Sequence, residues 1–171
     1  SGCATLENFI VYPHGSAARR SGTNFVAEVS SSATKARLMP FEFSTTQTYM
    51  LEFSNLKIRV FKDGSTVLEG NKNISAITKA GPGVITSNSH GYLTGDEIKI
   101  TSIVGMTELN NKRFLVVKID GNTFSLKNKD GVAIDTTNFT TYSSGGVMNR
   151  VFEITTTYAT SELFDIKFVQ S

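Results

Sequence analysis

The side chains best suited to chemistry in this sequence are one cysteine, Cys3, and two histidines, His14 and His90. A cysteine nucleophile needs a histidine base beside it in an electropositive setting. His14 lies in the turn-forming run Tyr-Pro-His-Gly, and His90 lies in the polar run Asn-Ser-His-Gly-Tyr. We therefore interpret Cys3 as a small buried hydrophobe and the histidines as turn residues, with local backbone hydrogen bonds satisfying His90. The three are too far apart in sequence for zinc-ligand spacing, so no metal site is predicted.

The carboxylates are scattered and form no recognisable pair. A glycosidase needs two carboxylates about 5–10 Å apart across a cleft, and nothing singles out such a pair here. Three of the acids, Asp63, Asp120 and Asp130, precede glycine and serve turn geometry instead. The run 81–83, Gly-Pro-Gly, lacks the Lys-Ser/Thr of a phosphate cradle. The sequence predicts no catalytic residue and no cofactor, and it favours a protein that is not an enzyme.

Composition further restricts the class of protein to which the chain can belong. Seventeen basic and 15 acidic side chains leave a net charge of +2, too little to indicate a sequence-specific nucleic-acid binder. A single cysteine allows no internal disulfide, which fits a reducing compartment. No apolar run approaches the ~20 residues of a membrane segment. A start without Met and a stop inside a strand-like run favour a native polypeptide that is longer at both ends.

The elements that must position these residues are β-strands, because alternation with a period of two dominates the chain. The expected fold is all-β, with an antiparallel meander or sandwich-like parent domain. Its strands are predicted at 25–29, 37–43, 49–53 and 57–61, with a hairpin turn at Asp63-Gly64 and a return at 67–68.

Strands become shorter and turns denser between positions 73 and 149. Regular spacing of short strands is typical of a sandwich or barrel. We interpret residues 73–149 as an inserted small β-barrel, residues 1–72 as the first part of the parent domain, and 150–171 as its return strand with a short helix or turn.

The inserted stretch carries a family resemblance in its order of blocks. The blocks run from Gly-Val-Ile-Thr at 83–86, through Gly-Tyr-Leu-Thr-Gly-Asp-Glu-Ile at 91–98, to Ser-Ser-Gly-Gly at 143–146. This order resembles a small β-barrel module of many bacteriophage tail proteins, which is similar to the first catalytic-cysteine half-domain of ubiquitin-activating enzymes. Thioester chemistry needs a cysteine, and this stretch has none, so the resemblance implies a scaffold.

The flanking segments carry a second resemblance. The first 15 residues, the run Arg-Leu-Met-Pro-Phe-Glu-Phe-Ser at 37–44 and the run Glu-Leu-Phe-Asp-Ile-Lys-Phe-Val-Gln-Ser at 162–171 resemble the podophage-type tail nozzle, or tail tubular protein B, family. The resemblance implies a homo-oligomeric ring that contacts the portal adaptor and tail fibres and through which the genome is delivered. It also implies a location in the virion tail, with assembly in the bacterial host cytoplasm.

Two alternatives stay open at this point. In the first, the inserted module binds a host surface or a fibre through exposed aromatic side chains, for which Tyr92, Phe139 and Tyr142 are the candidates. The competing interpretation places these rings in the core, since so small a module needs most of its aromatic residues inside. In the second alternative, the chain is a tail-associated hydrolase, which would need paired carboxylates or a Cys-His pair in one cleft.

Overall fold

A computed structural model describes residues 7, 9–22, 25–44 and 47–167, and within these ranges the protein is built from antiparallel strands. The all-β fold class is confirmed. The strands are β1 Phe9–Val11, β2 Ala17–Arg19, β3 Arg37–Ser44, β4 Gln47–Ser54, β5 Lys57–Lys62, β6 Ser65–Thr66, β7 Leu68–Asn73, β8 Ala76–Ile77, β9 Val84–Thr86, β10 Glu97–Val104, β11 Arg113–Lys118, β12 Thr123–Lys127, β13 Ser144–Val151 and β14 Glu153–Thr155. A 3-10 turn at Thr107–Leu109 follows β10.

The first large sheet has five strands in the order β14-β5-β4-β3, with the short β6 paired to β5. The predicted hairpin at Asp63-Gly64 is confirmed, since both residues have positive φ angles of 50° and 70°, as a type I′ turn requires. One face of this sheet buries Met39 and Phe53 against Leu163, which lies in a run of turns after β14.

The second large sheet has seven strands in the order β7-β13-β10-β11-β12-β9-β8. Only Ile74 and Ser75 separate β7 from β8, although these strands lie at opposite ends of the sheet. The sheet must therefore curl until its two edges come close. The edges are not paired with each other, so the predicted small β-barrel is not closed: the structure is an open, curled sheet.

Alternating side chains of the seven-stranded sheet fill a single core, as a period of two requires. The core is rich in β-branched and aromatic residues, which suit strands that bury one face. Its buried members are Ile74, Ile77, Ile85, Tyr92, Ile98, Ile100, Ile103, Met106, Leu109, Phe114, Val116, Phe124, Leu126 and Met148.

Two expectations about individual strands are corrected. Residues 25–29 form an irregular loop and not a strand. Side chains hydrogen-bond to its backbone: the Glu28 carbonyl accepts from Arg59, and the Val29 carbonyl accepts from Lys129. The return after the Asp63-Gly64 turn is only two residues long in the five-stranded sheet, because the chain then crosses into the other sheet as β7.

The chain crosses between the sheets twice, at Val67 and at Phe152. The Phe152 amide donates to the Val67 carbonyl at 2.9 Å, so the two crossings run side by side. The seven-stranded sheet thus begins at Leu68 and ends at Val151, while the predicted domain boundaries at 72 and 149 stay predictions.

Two further features complete the description. Strands β1 and β2 form a separate two-stranded hairpin near the start of the chain. Among the described residues, no helix has the length and apolar character needed to cross a bilayer. Cys3 lies outside the described residues.

Candidate functional site: an ionic cluster between the two sheets

The most unusual polar feature of the structure is a row of charged residues on one face of the five-stranded sheet. Strand pairing places Glu52 of β4 beside Arg59 of β5, and Arg59 beside Glu153 of β14. Directly opposed residues of neighbouring strands point to the same face. The register therefore puts a guanidinium between two carboxylates, on the face that meets the seven-stranded sheet.

Arg59 is the centre of this cluster. Its Nε donates to Glu153 Oε1 at 2.8 Å, its Nη1 donates to the Glu28 carbonyl at 3.3 Å, and its Nη2 donates to Glu97 of the other sheet. Burial of the guanidinium lowers its pKa, but the carboxylates of Glu97, Glu153 and Glu52 outweigh burial and leave the pKa raised. Arg59 is therefore fixed in its charged form.

Glu97, at the start of β10, is the counterpart of Arg59 on the seven-stranded sheet. Besides Arg59, its Oε2 contacts Lys129 Nζ at 3.0 Å, and its Oε1 lies 3.7 Å from Arg113 Nη1. The side chains of Arg59 and Glu97 are both only 1% exposed. A buried carboxylate is tolerated only with such compensation, because an unpaired buried charge is very costly.

Glu153, on strand β14, lies at the outer end of this row of charged residues. Its carboxylate accepts from Lys57 Nζ at 2.6 Å as well as from Arg59. Burial raises the pKa of Glu153, and the hydrogen bonds and charges of Lys57 and Arg59 more than reverse this, so the net pKa is lowered. The carboxylate is consequently ionised at neutral pH.

The same cluster holds the loop over residues 25–30. The Ser30 amide donates to Glu52 Oε1 at 2.8 Å, and Lys129 Nζ donates to the Val29 carbonyl at 3.1 Å. A neighbouring bridge joins the sheets again, where Arg113 Nη2 donates to Thr66 Oγ1 at 2.6 Å. One set of charges therefore joins seven segments of the chain: the loop at 25–30, strands β4, β5, β10, β11 and β14, and the turn that carries Lys129.

This arrangement is suited to holding the two sheets and the loop at 25–30 together. Arg59 and Lys57 bind the Glu153 carboxylate, Arg59 and Lys129 bind that of Glu97, and Glu52 binds a backbone amide. The lowered pKa of Glu153 takes this carboxyl further from the near-neutral value that general acid–base catalysis prefers. Among the described residues, no group of three or more His, Cys, Asp or Glu side chains could hold a metal ion.

The three aromatic candidates for surface binding do not form an exposed cluster. Tyr92 is only 4% exposed and packs edge-on against Phe124, so it lies in the core, as the competing interpretation of these rings held. Burial raises the pKa of Tyr92 to about 12. Phe139 and Tyr142 are partly buried against the same core, and the Tyr142 hydroxyl donates to the Gly145 carbonyl at 2.9 Å. A binding role for these two stays a prediction.

His90 is a satisfied buried residue, as the interpretation of its sequence context proposed. Its Nδ1 accepts from the Tyr92 amide at 3.0 Å, which leaves Nε2 to carry the proton and donate to the Asp120 carbonyl at 3.1 Å. Both ring nitrogens are thereby used in fixing a turn. The Cys3 interpretation falls outside the described residues.

Sequence reasoning missed the ionic cluster altogether. Glu52 and Arg59 occupy the polar positions of ordinary alternating strands, where exposed charges are the rule. Alternation within each strand does not indicate that this polar face is covered by a second sheet. A usable signal was the spacing of opposite charges across the turn between the strands predicted at 49–53 and 57–61, which pairs Glu52 with Arg59.

The fold and this cluster define a class of protein: an all-β unit of two antiparallel sheets joined by buried ion pairs. Comparison with known proteins adds a likeness over part of the chain. Residues 82–151 match the family described as the ubiquitin-activating enzyme E1 FCCH domain. The expected similarity of the inserted module to that half-domain is therefore supported.

Individual relatives agree with this match. Ubiquitin-like modifier-activating enzyme 1 of Oryctolagus cuniculus is 37% identical over 82 residues, and the Homo sapiens and Rattus norvegicus proteins of the same name are each 35% identical over 82 residues. Each alignment covers 46% of this chain and 7% of the relative. The likeness is thus confined to one module of much larger proteins.

Proposed function

We propose that this chain is a structural component of a bacteriophage tail, part of the nozzle ring through which the genome is delivered, and that it performs no catalysis. The observation that carries the proposal is the buried Arg59–Glu97 pair and its neighbours, which fasten the inserted sheet to the parent sheet. A structure built this way resists relative motion of its two sheets. That property suits a ring under load better than an enzyme that opens and closes.

The resemblance of the flanking segments to tail nozzle proteins supplies the biological setting of the proposal. Under this proposal the chain lies in the virion tail, is assembled in the host cytoplasm, and has copies of itself, the portal adaptor and tail fibres as partners. The net charge of +2 is consistent with a conduit that DNA crosses without strong binding, because phosphate contacts by many cations would retard passage.

Modifier activation is the activity that the names of the relatives bring to mind, and the sequence argues against it here. A thioester needs a cysteine thiolate. The matched stretch 82–151 contains no cysteine, since Cys3 is the single one in the chain. We propose that this module has a structural role in the chain.

The test is the mass in solution of this chain and of the complete polypeptide expected from the tail-protein resemblance, measured by light scattering on a sizing column. The proposal predicts a closed oligomer for the complete polypeptide. A complete polypeptide that stays monomeric at high concentration would contradict it. An activity screen for thioester formation with ubiquitin-like modifiers provides the complementary negative control.

A further inference from the structure

The hairpin of β1 and β2 presents apolar side chains to solvent. Phe9, Ile10, Val11 and Tyr12 are 49%, 51%, 63% and 48% exposed, four consecutive large apolar residues. The two strands pair with each other and belong to neither large sheet. An isolated two-stranded hairpin is marginally stable in water, and a contiguous exposed apolar patch marks an interaction site.

A groove elsewhere on the molecule has a matching character. It lies between the loop at 25–29 and the five-stranded sheet, with a volume of about 400 Å³. A cavity of about 150 Å³ holds a benzene molecule, so this groove accommodates roughly two large apolar side chains. Its apolar walls come from both the loop and the sheet; they are Val26, Ala27, Val29, Leu38, Met50 and Phe61.

The hairpin and the groove also have complementary charges. Residues 9–22 contain Arg19 and Arg20 and no acidic residue. The charged residues that line the groove are Glu52, Lys62 and Asp63. Glu52 is 1% exposed and belongs to the Arg59 cluster, and Lys62 lies over the Tyr49 ring, so the Asp63 carboxylate is the acidic group available to an arginine at the rim. A basic apolar hairpin thus has an apolar groove with an acid at its rim.

We propose that the β1–β2 hairpin of one copy of this chain docks in the groove of a second copy. No residue of the hairpin lines the groove of its own chain, so the two surfaces are available to different molecules. A contact between two different surfaces is heterologous, and repetition of such a contact closes into a ring when the rotation permits. The inference rests on the proposed ring and names the contact that builds it.

The size of the contact favours closure. A stable interface buries about 800 Å² per partner, and a hairpin with 3-residue strands supplies only part of that area. In a closed ring each copy gives one hairpin and receives another, so the contacts reinforce each other. We expect weak pairwise association of this chain and stronger association within the ring.

Cross-linking tests the contact directly. In a Cys3→Ser background, one chain carries Val11→Cys in the hairpin and a second, tagged chain carries Met50→Cys in the groove. The two are mixed and treated with a short bis-maleimide, and the linked peptides are identified by mass spectrometry. The matched control replaces Met50→Cys with Val132→Cys, at an exposed position beside the Asp130-Gly131 turn.

The proposal predicts a link between chains from position 11 to position 50, at a yield at least about tenfold above the control pair. A yield equal to the control overturns it. A chain carrying both cysteines that links only within itself also overturns it, because the hairpin would then cover its own groove.

Variants of the complete polypeptide separate this inference from the ring proposal. Val11→Asp is expected to weaken association about tenfold, which corresponds to about 1.4 kcal/mol, while Val132→Asp leaves it unchanged. Rings that form equally well with Val11→Asp would overturn the hairpin contact and leave the ring intact. If no rings form but the link from position 11 to position 50 is found, the ring proposal is overturned and the hairpin contact stands.

Discussion

Arg59 of β5 and Glu97 of β10 form an ion pair across the junction of the two large sheets, with both side chains 1% exposed. They are 38 positions apart in sequence and belong to different sheets. Opposite charges in such a setting stabilise the structure only as a pair, because each carries a large desolvation cost. The energetic consequences of this pair can be measured in several ways.

Removing the carboxylate of Glu97 is expected to be strongly destabilising. Glu97→Gln leaves Arg59 and Lys129 without their shared counter-charge, and breaking a buried pair costs about 3–5 kcal/mol. The matched control is Glu69→Gln, which breaks the half-exposed pair with Arg150 and should cost no more than about 1 kcal/mol. Urea unfolding of the three proteins measures both values, and equal losses would contradict the assignment.

Replacing both partners should cost less than the two single changes together. In the double variant Arg59→Met, Glu97→Met, neither charge is left buried without the other. We expect a coupling free energy of about 1–3 kcal/mol between the positions, in the range found for contacting residues. A double-mutant cycle by urea unfolding provides it, and strict additivity would show that the two side chains do not interact.

Acid should weaken the cluster through Glu153. The pKa of this carboxyl is lowered by folding, so its stabilising contribution is present above the ordinary value of 4.5 and is lost as the pH falls through the lower, folded value. Wild type should therefore lose stability below about pH 4.5 more steeply than Glu153→Gln. Parallel slopes for the two proteins in acid unfolding titrations would exclude this role.

Tyr92 should titrate later than an ordinary tyrosine. Its pKa is raised to about 12, mainly by burial in the core of the seven-stranded sheet. The neutral phenol therefore contributes stability that is complete below pH 10 and is lost as the pH rises through about 12. Tyr92→Phe should remove the late step from an ultraviolet titration of the five tyrosines; persistence of that step would contradict the assignment.

Gly146 should not tolerate a side chain. Its φ angle is +97°, and an added Cβ would lie 2.8 Å from Ile74 Cδ1 and 3.0 Å from Ile103 Cγ1. Gly146→Ala combines backbone strain with overpacking and should cost about 1–3 kcal/mol. Gly121→Ala is the control, because nothing lies within 4 Å of its added Cβ. Thermal unfolding of the two variants measures the difference.

Much of the fold could be predicted because local signals dominate in it. Alternation located most of the strands, and the Asp63-Gly64 and Asp120-Gly121 turns formed hairpins where their residues required it. The loop at 25–29 was predicted as a strand because its side chains alternate. In the structure it lies over the face of the five-stranded sheet, where the Glu28 carbonyl accepts from Arg59. The sequence could not predict that the curled sheet stays open, because closure of a sheet depends on its curvature and not on the local pattern of residues.

The candidate site was less accessible to sequence reasoning. The interpretation of His90 as a turn residue with local backbone partners holds for the Tyr92 amide, two positions away, whereas the Asp120 carbonyl lies 30 positions away in another turn. The Arg59–Glu97 pair depends on how two sheets meet, and no local pattern encodes that meeting. The sequence left Tyr92 open between a surface contact and a core position, and its packing against Phe124 decides for the core.

Electron microscopy of the complete polypeptide tests whether the chain forms a rigid two-sheet unit within a tail ring. We expect closed rings in which density for the seven-stranded sheet has one fixed position on each subunit, in wild type and in Glu69→Gln. Glu97→Gln rings should show that density blurred. Particles that never close would rule out the ring, and density for the seven-stranded sheet that is already blurred in wild type would rule out the rigid unit.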